Sequence, residues 1–125
     1  MPYFKLSNMS EDLLAGPKKA AENRRLIVTE SEGNNDIFII DAYKRQVITS
    51  SFFYALLKPY IKPGDSPDDI IDNRTIIIEL SPGSMDEYSR AVRRLCTELF
   101  QREKFNIPLE KISFAQRVRR VFGWR

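Results

Sequence analysis

Short hydrophobic runs bounded by polar residues predict three strands in this chain. They lie within residues 25–30, 36–41 and 75–80. Between the first two, residues 31–35 read Ser-Glu-Gly-Asn-Asn, a composition that tolerates positive φ and predicts a chain reversal. An antiparallel hairpin is therefore expected over 25–41. The continuous apolar run 37–40 predicts a central strand that is covered on both faces.

Apolar residues at three- and four-residue steps predict a long amphipathic helix over residues 84–105. They form a single stripe that is expected to face the sheet: Met85, Tyr88, Val92, Leu95 and Leu99. Ser84 and Glu87 match the S-x-x-E capping box, in which each side chain bonds a free backbone N–H at the start of a helix. The helix is therefore expected to begin at Ser84.

A shorter helix is predicted over residues 51–60. The hydroxyl residues 49–51 are good N-caps, and the apolar residues that follow have helical spacing. The alternative is that residues 47–54 prolong the sheet, because Val, Ile, Thr and Phe all favour strands. Near the C-terminus, residues 110–114 are either one more strand or the lead into a last helix.

Together these elements predict a single α+β domain over residues 1–125, a length typical of one domain. We expect a small, mainly antiparallel sheet, made of the hairpin 25–41 and the strand 75–80. The long helix 84–105 and the shorter helix 51–60 would pack on this sheet. A basic C-terminal segment, residues 113–125, completes the domain.

The composition narrows the possible chemistry. The chain has no histidine and one cysteine, which removes the usual general base, the commonest metal ligand and zinc-finger sites. The aspartates within residues 62–73 do not follow EF-hand spacing, so a solvated acidic loop is expected there rather than a metal site. We therefore expect no enzyme activity, no cofactor and no bound metal.

The same composition bears on location. The longest apolar runs fall far short of the ~20 residues that a membrane-spanning helix needs, and no signal peptide is visible. A single cysteine cannot form an internal disulfide, which fits a reducing compartment. The predicted location is cytoplasmic.

The charge is distributed unevenly along the chain. Residues 1–87 hold ten basic and fourteen acidic residues, a net charge of −4, whereas residues 88–125 hold ten basic and three acidic residues, a net charge of +7. Such asymmetry predicts a basic surface for an anionic partner, or a basic tail that contacts the protein's own acidic region.

The C-terminal segment is the strongest functional candidate, because it combines arginines with an aromatic side chain. Guanidinium groups bind carboxylates and phosphates, and aromatic rings stack on bases. The candidate binding residues are Arg117, Arg119, Arg120, Trp124 and Arg125. An acidic groove on another protein, a nucleic acid and an anionic membrane surface all suit this pattern. A solvated helix face explains the same arginines equally well.

Three further arginines lie on the polar side of the predicted long helix, namely Arg90, Arg93 and Arg94. They extend the basic surface if the C-terminal segment folds back beside this helix. Asp86 is placed to pair with Arg90 at i,i+4. The leading hypothesis is a non-enzymatic binding or assembly subunit that docks on a larger protein partner through its basic, aromatic C-terminal segment. The alternative is direct RNA or DNA binding by the same arginines.

Residues 41–57 resemble part of the STAS-type regulatory domains. The resemblance rests on Asp41, a polar loop, the run Ile48-Thr49-Ser50-Ser51-Phe52 and the following Ala55-Leu56-Leu57. It implies a phosphorylatable hydroxyl at Ser50 or Ser51, at the start of a helix. The chain departs from the family in its long acidic segment 62–73 and in lacking a glycine after the serines. Helix capping explains the same hydroxyls.

Overall fold

A computed structural model describes residues 1–30 and 36–105, with side chains up to residue 102. The strands are β1 (Pro2–Lys5), β2 (Leu13–Leu14), β3 (Val28–Glu30), β4 (Phe38–Asp41), β5 (Val47–Ile48) and β6 (Thr75–Ile78). The helices are α1 (Pro17–Glu22), α2 (Arg24–Ile27), α3 (Ser50–Leu57), α4 (Pro67–Asn73) and α5 (Pro82–Phe105), and a 3-10 turn, Leu6–Asn8, follows β1.

The main sheet has the strand order β3-β1-β4-β6. The N-terminal strand β1 runs antiparallel to β3 and parallel to β4, so that Tyr3 lies opposite both Thr29 and Ile39. Strand β4 is in turn parallel to β6, with Ile39 opposite Ile76. The predicted α+β class is confirmed, but the sheet is mixed rather than mainly antiparallel.

The predicted hairpin over 25–41 is wrong. Strands β3 and β4 do not pair with each other, because β1 lies between them and bonds to both. Residues 24–27 are helical, so the strand begins only at Val28. The turn-forming residues 31–35 lie outside the described residues. Turn composition predicts that a chain reverses, but a third strand from elsewhere in the chain can still separate the two arms.

A small second sheet and a short helix complete the fold. Leu13 pairs in parallel with Val47 in the second sheet, which is formed by β2 and β5. The expected acidic loop 62–73 contains helix α4, whose first turn is capped by the Ser66 side chain accepting from the N–H of Asp69. Pro67 at the first helical position and acidic residues in the first turn favour this helix, although the same residues are also typical of loops.

The shorter predicted helix is confirmed as α3. It begins at Ser50, and the side chain of Thr49 caps it by accepting from the N–H of Phe52. The alternative, in which residues 47–54 prolong the sheet, is wrong, because only residues 47–48 form a strand and this strand belongs to the small second sheet. The helix ends at Leu57, three residues before the predicted end, since Pro59 cannot supply the backbone N–H that would continue it.

The long helix α5 is confirmed, but its predicted capping box is wrong. The helix starts at Pro82, and Ser81 accepts the N–H of Ser84 at 3.2 Å. Ser84 is instead buried, accepting from the N–H of Ile48 (3.1 Å) and donating to the carbonyl of Gln46 (3.2 Å). Glu87 accepts the N–H of Ser50 at 3.0 Å. Both side chains therefore connect α5 to β5 and to the start of α3.

The helices pack on the sheet face that carries Phe4, Phe38 and Ile40. The ring of Phe4 meets those of Phe38 and Tyr60 edge to face, with centroids 6.4 and 5.6 Å apart. The predicted stripe of α5 lies in this core, and Tyr88 is fully buried against Phe53. Burying one large apolar side chain stabilises a fold by about 1.5–3 kcal/mol. This layer is therefore the main source of stability.

Replacing Ser84 with alanine should destabilise the fold by about 1–3 kcal/mol, because the N–H of Ile48 and the carbonyl of Gln46 would lose a buried partner. Urea unfolding measures the loss. Ser89→Ala, a half-buried serine on the same helix, is the control and should change stability by less than about 0.5 kcal/mol. Equal losses in the two variants would contradict the proposed role of Ser84.

Tyr88→Phe should make the protein less sensitive to alkali. Burial raises the pKa of Tyr88 to about 12, so the unfolded chain loses this proton first and stability falls as pH rises from about 10 toward 12. Urea unfolding at pH 9 and 11 should show a decline about 1 kcal/mol smaller for Tyr88→Phe than for the parent. The exposed control, Tyr43→Phe, should decline like the parent; a parental decline in Tyr88→Phe would contradict this reasoning.

Candidate docking surface

The three predicted basic residues of α5 are exposed, and each is beside a carboxylate. Arg93 lies 2.8 Å from Asp68, and Arg94 lies 3.2 Å from Glu98. Arg94 also stacks over the Tyr54 ring, 4.3 Å from its centroid. These pairs are solvated and individually weak, but they neutralise the positive charge locally.

Arg90 also lies beside a carboxylate, but this carboxylate is not the predicted one. Its guanidinium lies 3.0 Å from Glu87, at i,i+3, rather than pairing with Asp86. Glu87 therefore serves both Arg90 and the backbone of Ser50. The described part of α5 consequently presents paired charges, not a continuous basic patch.

The C-terminal candidates lie outside the described residues. They are Arg117, Arg119, Arg120, Trp124 and Arg125. The binding role of segment 113–125 and its alignment with α5 therefore stay predictions.

The hydroxyl residues at the start of α3 have structural partners. Thr49 caps the helix and lies 3.1 Å from the hydroxyl of Ser51, and the N–H of Ser50 bonds to Glu87. The Glu87 carboxylate thus already occupies a backbone donor that a phosphate at this helix start would use. Phosphorylation of Ser50 or Ser51 stays a prediction.

The acidic segment is organised by Arg74, a residue that the sequence pattern did not single out. Its side chain is only 16% exposed and lies 3.5 Å from Asp36, 3.2 Å from Asp65 and 3.1 Å from Asp69. The contact with Asp69 is an ion pair whose Nε–H lacks the alignment of a hydrogen bond. One guanidinium thus offsets the repulsion among three carboxylates, and nothing in the local sequence signals that they converge on it.

The described residues include no cluster of His, Cys, Asp or Glu arranged to hold a metal ion. In the same part of the chain, no helix is long and apolar enough to cross a lipid bilayer.

One face of the main sheet carries apolar side chains that are open to solvent. Successive strand residues point to opposite faces, so the face opposite Phe4 carries Tyr3, Ile39, Ile76 and Ile78. Lys5 and Asp41 lie on the same face, in the row of Ile78. Tyr3, Ile39 and Ile76 are cross-strand neighbours in one row. Ile76 is 50% exposed and Ile78 is 37% exposed. We call Tyr3, Ile39, Ile76 and Ile78 the open sheet face.

The open sheet face has a fixed polar neighbour. The Asp41 carboxylate accepts from the hydroxyl of Tyr3 at 2.7 Å and from that of Ser7 at 3.3 Å. The hydrogen bond to Asp41 raises the pKa of Tyr3, because the phenol donates its proton to a carboxylate, and the same bond positions its ring. Exposed isoleucines beside a hydrogen-bonded Tyr–Asp pair are typical of a contact surface with a polar margin.

Sequence reasoning missed this surface, because a run such as 37–40 predicts burial on both sides. Strand β4 is central in the sheet, but its open-face residue Ile39 is only half-buried. The three consecutive isoleucines 76–78 could have indicated the surface, because they place isoleucine on both faces of β6. Strand β6 lies at the edge of the described sheet. Both of its faces are covered only if another element packs on the second face.

Comparisons with protein-family models, curated proteins and solved structures returned no match to this chain. Functional inference therefore depends on the geometry of the described residues.

Arg74→Gln should lower the free energy of unfolding by about 2 kcal/mol, because it leaves three aspartates near one another without their shared cation. The matched control is Arg45→Gln, which removes an exposed pair with Asp12 and should cost less than about 0.5 kcal/mol. Urea unfolding of both variants tests this difference. Similar costs would show that Arg74 does not organise the acidic segment.

Proposed function

We propose that this protein is a non-enzymatic binding or assembly subunit that docks on a larger protein partner. The open sheet face is the observation that supports this function best. Ile76 lies in one row with Ile39 and Tyr3, Ile78 lies opposite Asp41, and both isoleucines remain in contact with water. Removing apolar surface from water is favourable by about 25 cal/mol per Å². Contiguous exposed apolar patches are typical of protein interaction sites.

The C-terminal segment 113–125 supplies the second contact in this proposal. The open sheet face would pack against apolar side chains of the partner, while the arginines of this segment would bind acidic groups at the margin of the interface. Apolar centres with charged rims are the usual arrangement of such interfaces, and rim charges mainly accelerate and orient association. We place this assembly in the cytoplasm, on the basis of the single cysteine.

Direct binding of RNA or DNA is the alternative function. The pairing of Arg90, Arg93 and Arg94 with carboxylates weakens it, because a phosphate would have to displace each acidic partner. The alternative then relies on the arginines of 113–125 alone. No catalytic step is proposed, since the chain has no histidine to act as a general base near neutral pH.

The double variant Ile76→Lys/Ile78→Lys should lose the partner. Both side chains point to solvent, so the fold should remain, whereas two lysines would have to be desolvated in the interface. Loss of two buried isoleucines alone is worth at least about tenfold in affinity. The partner is first captured with the tagged parent protein from the native source, and its binding to purified variants is then measured.

The matched control is Leu13→Lys/Val47→Lys, which places two lysines at another exposed apolar pair, on the small second sheet. It should bind like the parent. Unchanged partner binding by a folded Ile76→Lys/Ile78→Lys protein would rule out the open sheet face as the docking surface. A salt titration with generic single- and double-stranded nucleic acid tests the alternative, which requires affinity to fall steeply with salt.

A further inference from the structure

Strand β6 has an unprotected edge, in addition to its part in the open sheet face. It pairs with β4 on one side and is the last strand of the described sheet on the other. The carbonyls of Arg74 and Ile78 point toward β4, because they accept from backbone N–H groups at its start and just past its end. Alternate residues of a strand point their backbone groups to opposite sides, so the N–H and C=O groups of Thr75 and Ile77 point away from the sheet.

We propose that the edge of β6 pairs antiparallel with the same edge of a second copy of this chain, across a two-fold axis at Ile76. The two sheets would then join into one, with both open sheet faces on the same side. The proposal concerns the edge of the sheet and does not rest on the proposed function. It is supported by the exposure of β6, by the match between its backbone groups and those of a copy, and by the contrast with the other edge.

All three isoleucines of β6 are exposed, and they lie on both faces of the strand. Ile76 and Ile78 belong to the open sheet face, whereas Ile77, 38% exposed, lies on the opposite face. A partner that covers only the open sheet face would leave Ile77 in water. A strand added at the edge shields both faces at once, because its own side chains alternate between them. The exposure of Ile77 therefore favours a contact at the edge.

The backbone of β6 is complementary to itself about Ile76. In an antiparallel pair centred there, Thr75 of one copy lies opposite Ile77 of the other, and these two residues exchange two N–H···O=C bonds. The symmetric pair adds two more, so that every outward backbone group of β6 is bonded. Ile76 meets its own copy as a non-hydrogen-bonded pair, the kind in which side chains approach most closely. A copy of β6 thus satisfies the whole edge.

The charges at the two ends of β6 are compatible with this register. The strand itself is uncharged. Arg74 falls opposite Ile78 of the copy, and Glu79 falls opposite Asn73. Like charges that lie directly opposite each other destabilise a sheet, and the register centred on Ile76 avoids them.

The other edge of the described sheet is protected against pairing. Strand β3 exposes Thr29 and the charged Glu30, and charged side chains on an edge strand discourage pairing. Strand β6 has neither a charge nor a proline. Pairing of β6 with β3 of a copy would also leave a free edge at each end and build an open row of molecules, whereas two β6 edges form a closed dimer.

Sedimentation velocity of the purified chain tests the proposal without any partner. Strands of four residues make a small interface of the weak class. We therefore expect the mass to rise from 14.6 kDa toward twice this value as the concentration increases to about 1 mM. Ile77→Pro should remain monomeric, because proline removes an N–H that the pair needs and that points away from β4. Ile77→Val keeps this N–H and is the control, which should dimerise like the parent.

Disulfide crosslinking locates the two-fold axis and does not require a proline. Ile76→Cys and Ile78→Cys are each combined with Cys96→Ala, which removes the native thiol. In the dimer, the two Cα atoms of residue 76 lie about 4.5 Å apart, whereas those of residue 78 are offset by about 13 Å along the strands. We expect Ile76→Cys to crosslink at least about tenfold faster on mild oxidation, because only this pair meets disulfide geometry.

A parent chain that stays monomeric at the highest concentration overturns the proposal, and leaves the edge to a different protein or to a part of this chain outside the described residues. Dimerisation that persists in a folded Ile77→Pro protein also overturns it. Equal crosslinking of Ile76→Cys and Ile78→Cys overturns the register centred on Ile76, and with it the proposed pairing.

Discussion

The position of β1 between β3 and β4 is the constraint on which the rest of this structure depends. A strand that bonds on both sides prevents its two neighbours from pairing with each other. Because β4 is then parallel to both β1 and β6, the chain must cross over the sheet between these strands. The connecting helices pack on one face, and the opposite face keeps Ile39, Ile76 and Ile78 accessible. The candidate docking surface therefore follows from the pairing of the N-terminal strand.

Three polar side chains then set how the layers fit together. Ser84 and Glu87 bond backbone groups at β5 and at the start of α3, so α5 is positioned by hydrogen bonds as well as by its apolar stripe. Arg74 does the same at the start of β6, where it brings Asp36 near Asp65 and Asp69 of the α4 region. Ser84 is buried, and a buried polar group is costly unless it is hydrogen-bonded, which favours a single arrangement of β5 and α5.

Local patterns in the sequence predicted what depends on local physics. The strands at 38–41 and 75–78, the capped helix α3 and the apolar stripe of α5 all follow from periodicity and capping. The strand order depends on contacts between distant residues, so the composition of residues 31–35, which is typical of a turn, suggested the wrong partner for β3. Ser84 and Glu87 match a capping box, yet their actual bonds are to another part of the chain. The open face was missed because isoleucine runs predict burial, and the predicted site at 117–125 lies outside the described residues.

The central claim is that a partner protein covers the open sheet face. Cross-saturation NMR tests it most directly, by irradiating the captured partner while the isoleucine methyl groups of this protein are observed in the complex. The account predicts strong saturation transfer to Ile76 and Ile78, and little to the buried Ile40 and Ile70. Transfer that is absent from Ile76 and Ile78 but present on methyl groups elsewhere would contradict it.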